Sequence, residues 1–244
     1  MTEAEAEATT KVEPGPTTEQ TRAVTILWPY FSGGVAVALV VLLGVVLLLR
    51  QNTPFEFDGE WMDDITNSRD PFLTSVSAVM AWLGGGWFAA IAVPVVIVGL
   101  LCLMRRFWAA AYFGVATFVC AALTRLLKNI FGRPRPEEIL IPADFGSFPS
   151  GHTSNAATMA VVLGLLLFRW WVWTAGALWV VLMALSRTYI GAHWVSDTIG
   201  GMILGAAVAL LLWAPIATRL LEERKKVHAR RRALTLLSPE VGAR

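Results

Sequence analysis

Cysteine, histidine and tyrosine are scarce in this chain: 244 residues hold two, three and three of them, and only 16% of positions carry charge. Cys102 and Cys120 both lie inside apolar runs, so they read as small buried hydrophobes, and a disulfide-stapled secreted scaffold is excluded. No Cys/His metal spacing, Gly-rich nucleotide loop, nucleic-acid motif or internal repeat is present. A net charge of +2 excludes nothing by itself. Hydrophobic residues reach 56%, against roughly 45–50% in ordinary globular domains. Intrinsic disorder of the whole chain and a soluble fold are excluded together.

What the chain has instead is apolar length. Residues 24–49 and 71–104 carry no charge, and a membrane helix needs about 20 residues. The second run is too long for one span and too short for two with a turn, and Gly84, Gly85 and Gly86 interrupt it. It divides into an interfacial or half-inserted helix over 73–83 and a second span over 87–104. Further spans are expected over 107–124, 153–168, 170–186 and 195–217. The reading is an all-α integral membrane bundle of six transmembrane helices, with a short interfacial helix before the second span. Residues 24–217 form this domain. Residues 1–23, rich in Glu, Ala and Thr with two prolines, read as a disordered tail, and 218–244 as a basic tail. The first run follows an acidic segment and lacks a small-residue cleavage site before Arg50, so it reads as a retained helix rather than a signal peptide. Residues 51–70, with six carboxylates and one arginine, read as an ordinary solvated loop.

Six spans place both termini on one side. The block from Arg219 to Arg232 holds seven of the 20 basic residues, which assigns that side to the cytoplasm. Tryptophans 87, 108, 170, 171, 194 and 213 fall near span ends, as interfacial rings do. Seven of the 20 basic residues are then left on the outer face, and five of them, Arg125, Lys128, Arg133, Arg135 and Arg187, cluster in two segments. Basic residues on that face need a reason.

Two histidines supply one. His152 follows Pro149-Ser150-Gly151 and His193 stands four residues before Asp197, while His228 lies in the basic tail. The segments 125–152 and 186–197 share one face, because two spans lie between them. Lys128, Arg135 and Arg187 converging there suit a multiply charged anion, since guanidinium forks match phosphate oxygens in pairs. Ser150 and Gly151 open an apolar helix, whose free amides favour an anion. With Nδ1–H directed at Asp197, His193 keeps Nε2 as a nucleophilic lone pair. His152 can protonate the leaving oxygen. Three fixed cations supply the charge stabilisation that a metal supplies elsewhere, so no cofactor is called for. Arg125 and Arg133 read as supporting or headgroup contacts.

The three segments together resemble the type 2 phosphatidic acid phosphatase superfamily. Lys128 through Arg135-Pro136, Pro149-Ser150-Gly151-His152, and Ser186-Arg187 with His193 and Asp197 match its three signatures in order. The resemblance implies a metal-free lipid phosphatase with His193 as nucleophile, Asp197 as its orienting acid and His152 as general acid. It implies Lys128, Arg135, Ser150, Gly151 and Arg187 as phosphate ligands. A lipid phosphate monoester or diphosphate is the expected partner: phosphatidic acid, phosphatidylglycerophosphate or a polyprenyl diphosphate. The expected location is the cell membrane with the site outside. Two other readings remain open, an anion or lipid-phosphate transporter and a non-catalytic lipid-binding protein. Against the first, the last three spans are almost wholly apolar below their outer turn.

Overall fold

The computed structural model describes residues 18–142 and 144–237. All regular elements among them are helical: α1 (Thr18–Leu49), α2 (Glu56–Asn67), α3 (Pro71–Gly84), α4 (Val93–Leu103), α5 (Phe107–Phe131), α6 (Gly151–Leu167), α7 (Trp170–Tyr189), α8 (Val195–Trp213) and α9 (Ala217–Leu237). A π-helical turn, Phe88–Ala92, joins the glycine break to α4, and a 3-10 turn, Ala214–Ile216, joins α8 to α9.

Helix α6 lies at the centre, between α5, α7 and α8, with α1 against α8 and the α3–α4 unit against α7, α6 and α5. Small residues permit its closest contact. A Cβ on Gly201 would sit 2.6 Å from the Ser150 carbonyl oxygen, and one on Gly205 would sit 2.9 Å from the Ala157 Cβ and overlap the Ser154 carbonyl. Gly201 and Gly205 therefore let the α8 backbone lie directly on α6, as four-residue glycine spacing does in membrane helix pairs. Thr158 Oγ1 donates across this seam to the Gly205 carbonyl at 3.2 Å. One apolar cluster, around Phe113, Val162 and Trp213, fills half of the bundle, and a second, around Leu47, Phe131, Phe148 and Leu204, fills the other.

The bundle has two unlike ends. At one, Glu223 of α9 accepts from the amides of Trp108 and Ala109 at 2.9 and 3.2 Å, and Arg224 lies over the Phe168 ring. At the other, the C-termini of α5 and α7 meet the N-termini of α6 and α8. The segments expected to share one face, ending in His152 and spanning 186–197, gather at this second end.

Membrane capacity follows from length and composition. Leu27–Leu49, Phe107–Phe131 and Val195–Val227 are long and apolar enough to cross a bilayer, and Pro71–Gly84 with Phe88–Leu103 qualify together as a pair bent by 40°. Helix α6, at 17 residues, is shorter, and four tryptophans lower the hydropathy of α7.

Several boundaries differ from expectation. The tail expected over 1–23 falls outside the described residues up to 17, but 18–23 already belong to α1. Helix α5 runs to Phe131 rather than ending at 124, so Lys128 stands in its last turn. The basic segment continues as α9 to Leu237, and 238–244 lie outside the described residues. The largest correction concerns 51–70. Instead of a solvated loop it contains α2, with Asp58 and Met62 buried and Ile65 packed against a small apolar cluster. Spacings of four and three put these residues on one helical face. A count of carboxylates conceals that periodicity.

Gly205→Ala should lower stability by about 1–3 kcal/mol, because backbone and not a flexible side chain must move. Gly99, which faces open space, is the control, and Gly99→Ala should leave the melting temperature in detergent unchanged or slightly raised.

Candidate active site

The second end of the bundle encloses a cavity of about 500 Å³, lined by Lys128, Arg135, Gly151, His152, Arg187 and His193 among others, with Ala78, Ala81 and Trp82 of α3 on its membrane-helix side. Six of the eight residues expected at the site thus face one space. The other two support it from beneath. Ser150 is fully buried, its amide donating to the Asp197 carbonyl at 3.0 Å and its hydroxyl 3.1 Å from that of Thr153. Asp197 lies behind His193.

Each cation is held differently. Lys128 donates from Nζ to the Gly146 carbonyl, with Asp144 Oδ1 at 3.9 Å. Arg135 is the most tied: Nη2 donates to Asp144 Oδ1 at 2.7 Å and to the Gly146 carbonyl at 3.0 Å, Nε to the Asp144 carbonyl at 3.0 Å, and Nη1 to the Ala192 carbonyl at 2.5 Å. Arg187 is the opposite case. It is 3% exposed, yet its Nε and Nη1 have no hydrogen-bond partner among the described residues. Buried donors normally find acceptors, and an anion in the cavity would provide them.

The orientation of His193 follows from Arg135. Arg135 Nη1 stands 3.3 Å from His193 Nε2, and a guanidinium can only donate, so Nε2 carries the lone pair and Nδ1 the proton. Nδ1 in turn faces Asp197 Oδ2 at 3.6 Å, slightly beyond hydrogen-bond range. Complete burial pushes the His193 pKa well below its ordinary value, and the positive charges of Lys128, Arg187 and Arg135 and the neighbouring His152 add to the effect.

His152 stands 3.1 Å, from Nε2, from the Ala81 carbonyl. An acceptor-only carbonyl fixes the proton of neutral His152 on Nε2 and leaves Nδ1 with the lone pair. This contact needs the glycine break: a Cβ on Gly85 would meet His152 Cε1 at 2.6 Å and overlap Nε2. The π-helical turn that follows presents its Ala89 carbonyl to Asn155 Nδ2 of α6 at 3.2 Å.

Two contributors, Asp144 and Asp58, have no counterpart in the sequence reading. Asp144, with a side chain 65% exposed, places a carboxylate between Lys128 and Arg135. Asp58, from α2, and Arg133 form a buried ion pair at 2.9 Å, and Arg133 also pairs with Asp197 at 2.6 Å. Of the two roles expected for Arg133, a supporting or a headgroup contact, the structure shows the supporting one. For Asp58, one of six carboxylates in its segment, the available signal was a helical period shared with Met62 and Ile65. Arg125 is exposed and lines an adjoining groove with Thr124, Lys128, His152 and Asn155.

The model of the PAP2 superfamily matches residues 109–220. The decaprenylphosphoryl-5-phosphoribose phosphatase of Mycobacterium tuberculosis is 33% identical over 141 residues, 54% of this chain and 70% of that protein. The undecaprenyl-diphosphatase of Sulfolobus acidocaldarius is 36% identical over 106 residues, 40% of this chain and only 50% of its own length. The crystal structure of the transmembrane PAP2 type phosphatidylglycerolphosphate phosphatase from Bacillus subtilis superimposes with a TM-score of 0.65 at 24% identity, covering 75% of this chain and 94% of that one. The chain belongs to the PAP2 superfamily, and its fold is that of the family's membrane phosphatases.

Removing an unpartnered buried donor should be read out by anion binding alone. Arg187→Met should weaken inorganic phosphate binding, followed by calorimetry on protein in detergent, by at least about tenfold, the usual weight of a charged hydrogen bond. Equal affinity in the variant would show that Arg187 does not face the anion.

Proposed function

We propose that this protein is a metal-independent membrane phosphatase that hydrolyses a lipid phosphate monoester or diphosphate through a phosphohistidine on His193. The observation that carries the reading is a cavity lined by the His193 imidazole, with Nε2 turned to the Arg135 guanidinium, and by a buried Arg187 whose Nε and Nη1 find no hydrogen-bond partner among the described residues. Phosphatidic acid, phosphatidylglycerophosphate and polyprenyl diphosphates all carry the terminal phosphate that this chemistry needs. The relatives' names, which include polyprenyl and phosphoglycerol lipids, point the same way.

In the proposed cycle Lys128, Arg135 and Arg187 bind the phosphate oxygens, assisted by the amides at the N-terminus of α6 around Gly151. Ser150 holds the N-cap position of that helix with its hydroxyl beside that of Thr153, and the arriving anion replaces Asp144 on Arg135. His152 Nδ1 first takes the proton of the arriving phosphate monoanion, keeping its Nε2 proton on the Ala81 carbonyl; His193 Nε2 then attacks phosphorus as the bond to the leaving oxygen breaks, and His152 returns that proton from Nδ1 to the leaving oxygen. Asp197 takes up the positive charge that develops on the His193 ring. Water then attacks the phosphohistidine, His152 accepts its proton, and inorganic phosphate leaves.

Six spans, with both termini cytoplasmic and the site on the outer face, complete the proposal. The basic α9 and the basic residues Arg105, Arg106 and Arg169 support this orientation. The adjoining groove beside Thr124 and Asn155 opens along α5, where a lipid tail can remain in the bilayer while its headgroup reaches the cations. A transporter reading finds less support, since α8 below Asp197 presents only apolar and small residues.

His193→Ala should abolish phosphate release from all three lipid classes, and acid-labile label from a phosphorus-labelled substrate should be trapped on the wild type and not on the variant. Full turnover in His193→Ala would overturn the nucleophile assignment.

The pH dependence has a definite sign. Because the folded pKa of His193 is depressed, the nucleophile stays neutral as pH falls through about 6.5, the ordinary histidine value. The acid limb of kcat/KM, corrected for the substrate's own phosphate titration, should therefore lie below that pH. A limb near or above 6.5 assigned to His193 by its loss in a nitrogen-labelled spectrum would contradict the geometry.

A further inference from the structure

Behind the cavity lies a buried charge network that reaches outside residues 109–220. Asp197 Oδ1 accepts from Arg133 Nη1 at 2.6 Å and Oδ2 from the Trp194 amide at 2.9 Å. These two bonds fix the rotation of the carboxylate and so the side it turns to His193. Arg133 is itself fixed. Its Nη2 donates to Asp58 Oδ2 at 2.9 Å, and its Nη1 donates to Ser196 Oγ at 2.7 Å, which passes its own proton to Asp58 Oδ2 at 2.6 Å. Asp58 Oδ1 accepts the Ser196 amide at 2.8 Å. Asp58, Arg133 and Asp197 are all fully buried. Neither Asp58 nor Arg133 lines the cavity.

We propose that Asp58 is a positioning residue for the phosphoryl transfer: by anchoring Arg133 it holds Asp197, and through Asp197 the His193 imidazole, in line for attack. The proposal rests on His193 being the nucleophile. Two physical effects act in the same direction. An arginine on a flexible stem has many rotamers, and two carboxylates together leave it one; without Asp58 the Asp197 carboxylate loses its brace. The pair of carboxylates around one guanidinium also carries a net negative charge, which favours the positive ring formed when His193 bonds to phosphorus. Removing Asp58 makes the network neutral and withdraws that help, while the cations that grip phosphate remain untouched.

The test uses the full-length protein in detergent or nanodiscs, with a lipid phosphate that the wild type hydrolyses. Turnover is expressed per phosphate-binding site counted by calorimetry, so that unfolded protein does not enter. Asp58→Asn should lower kcat per site at least tenfold, while the inhibition constant of inorganic phosphate stays within about twofold. Wild-type kcat per site would overturn the proposal. So would a parallel loss of phosphate affinity, which would mean that Asp58 shapes the cavity rather than the nucleophile. If Asp58→Asn does not fold, Ser196→Ala decides. It removes one link between Arg133 and Asp58, and should lower kcat per site by about threefold with phosphate inhibition unchanged; an unchanged kcat would overturn the proposal. A wild type that releases no phosphate from any lipid, or a His193→Ala that remains active, would instead sink the phosphatase reading.

Discussion

Three positive charges line one cavity at the end of this bundle, and their mutual repulsion is the constraint around which the rest is arranged. Two unit charges a few ångströms apart repel strongly once water is displaced. Asp144 relieves part of the repulsion at Arg135 and, from farther away, at Lys128, but Arg187 keeps buried donors without acceptors. A protein retains such a cost when it serves binding or chemistry.

The helices meet that cost by bringing backbone very close to backbone. Gly201 and Gly205 press α8 onto α6, which sets the start of α6, and with it His152, at a fixed distance from His193 at the start of α8. The Ser150 amide reaches the Asp197 carbonyl, so the two helix N-termini are stitched together at the site. The glycine break before the π-helical turn lets α3 pass over His152 and offer a carbonyl to its ring. Packing deep in the bundle and proton placement in the cavity are therefore one problem. A change in the helix seam should be felt by the imidazoles.

Much of this was legible in the chain before any fold was known, and for a physical reason. Apolar runs report membrane helices because the bilayer admits little else, and cations and histidines at span ends stand out against an apolar background. Lys128, Arg135, Gly151, His152, Arg187 and His193 could be placed together because an even number of crossings returns the chain to one face. Ser150 and Asp197 were expected beside them and support them from beneath. What could not be read was pairing across long separations. Asp58 and Arg133 are 75 residues apart, and nothing in the segment 51–70 distinguishes the one buried carboxylate from its exposed neighbours except a helical period over Asp58, Met62 and Ile65. Asp144 was equally hidden, because its role depends on a loop that doubles back over Lys128. Patterning reveals which residues leave the membrane; only the fold reveals which of them leave water as well.

The most direct measurement is a structure of the protein with vanadate, whose trigonal-bipyramidal form mimics phosphorus during transfer. If the cavity is an oxyanion pocket with a poised nucleophile, vanadium will be bonded to His193 Nε2, with its equatorial oxygens on Lys128, Arg135 and Arg187. Vanadate bound away from His193, or held by the cations with Nε2 turned aside, would contradict the central claim.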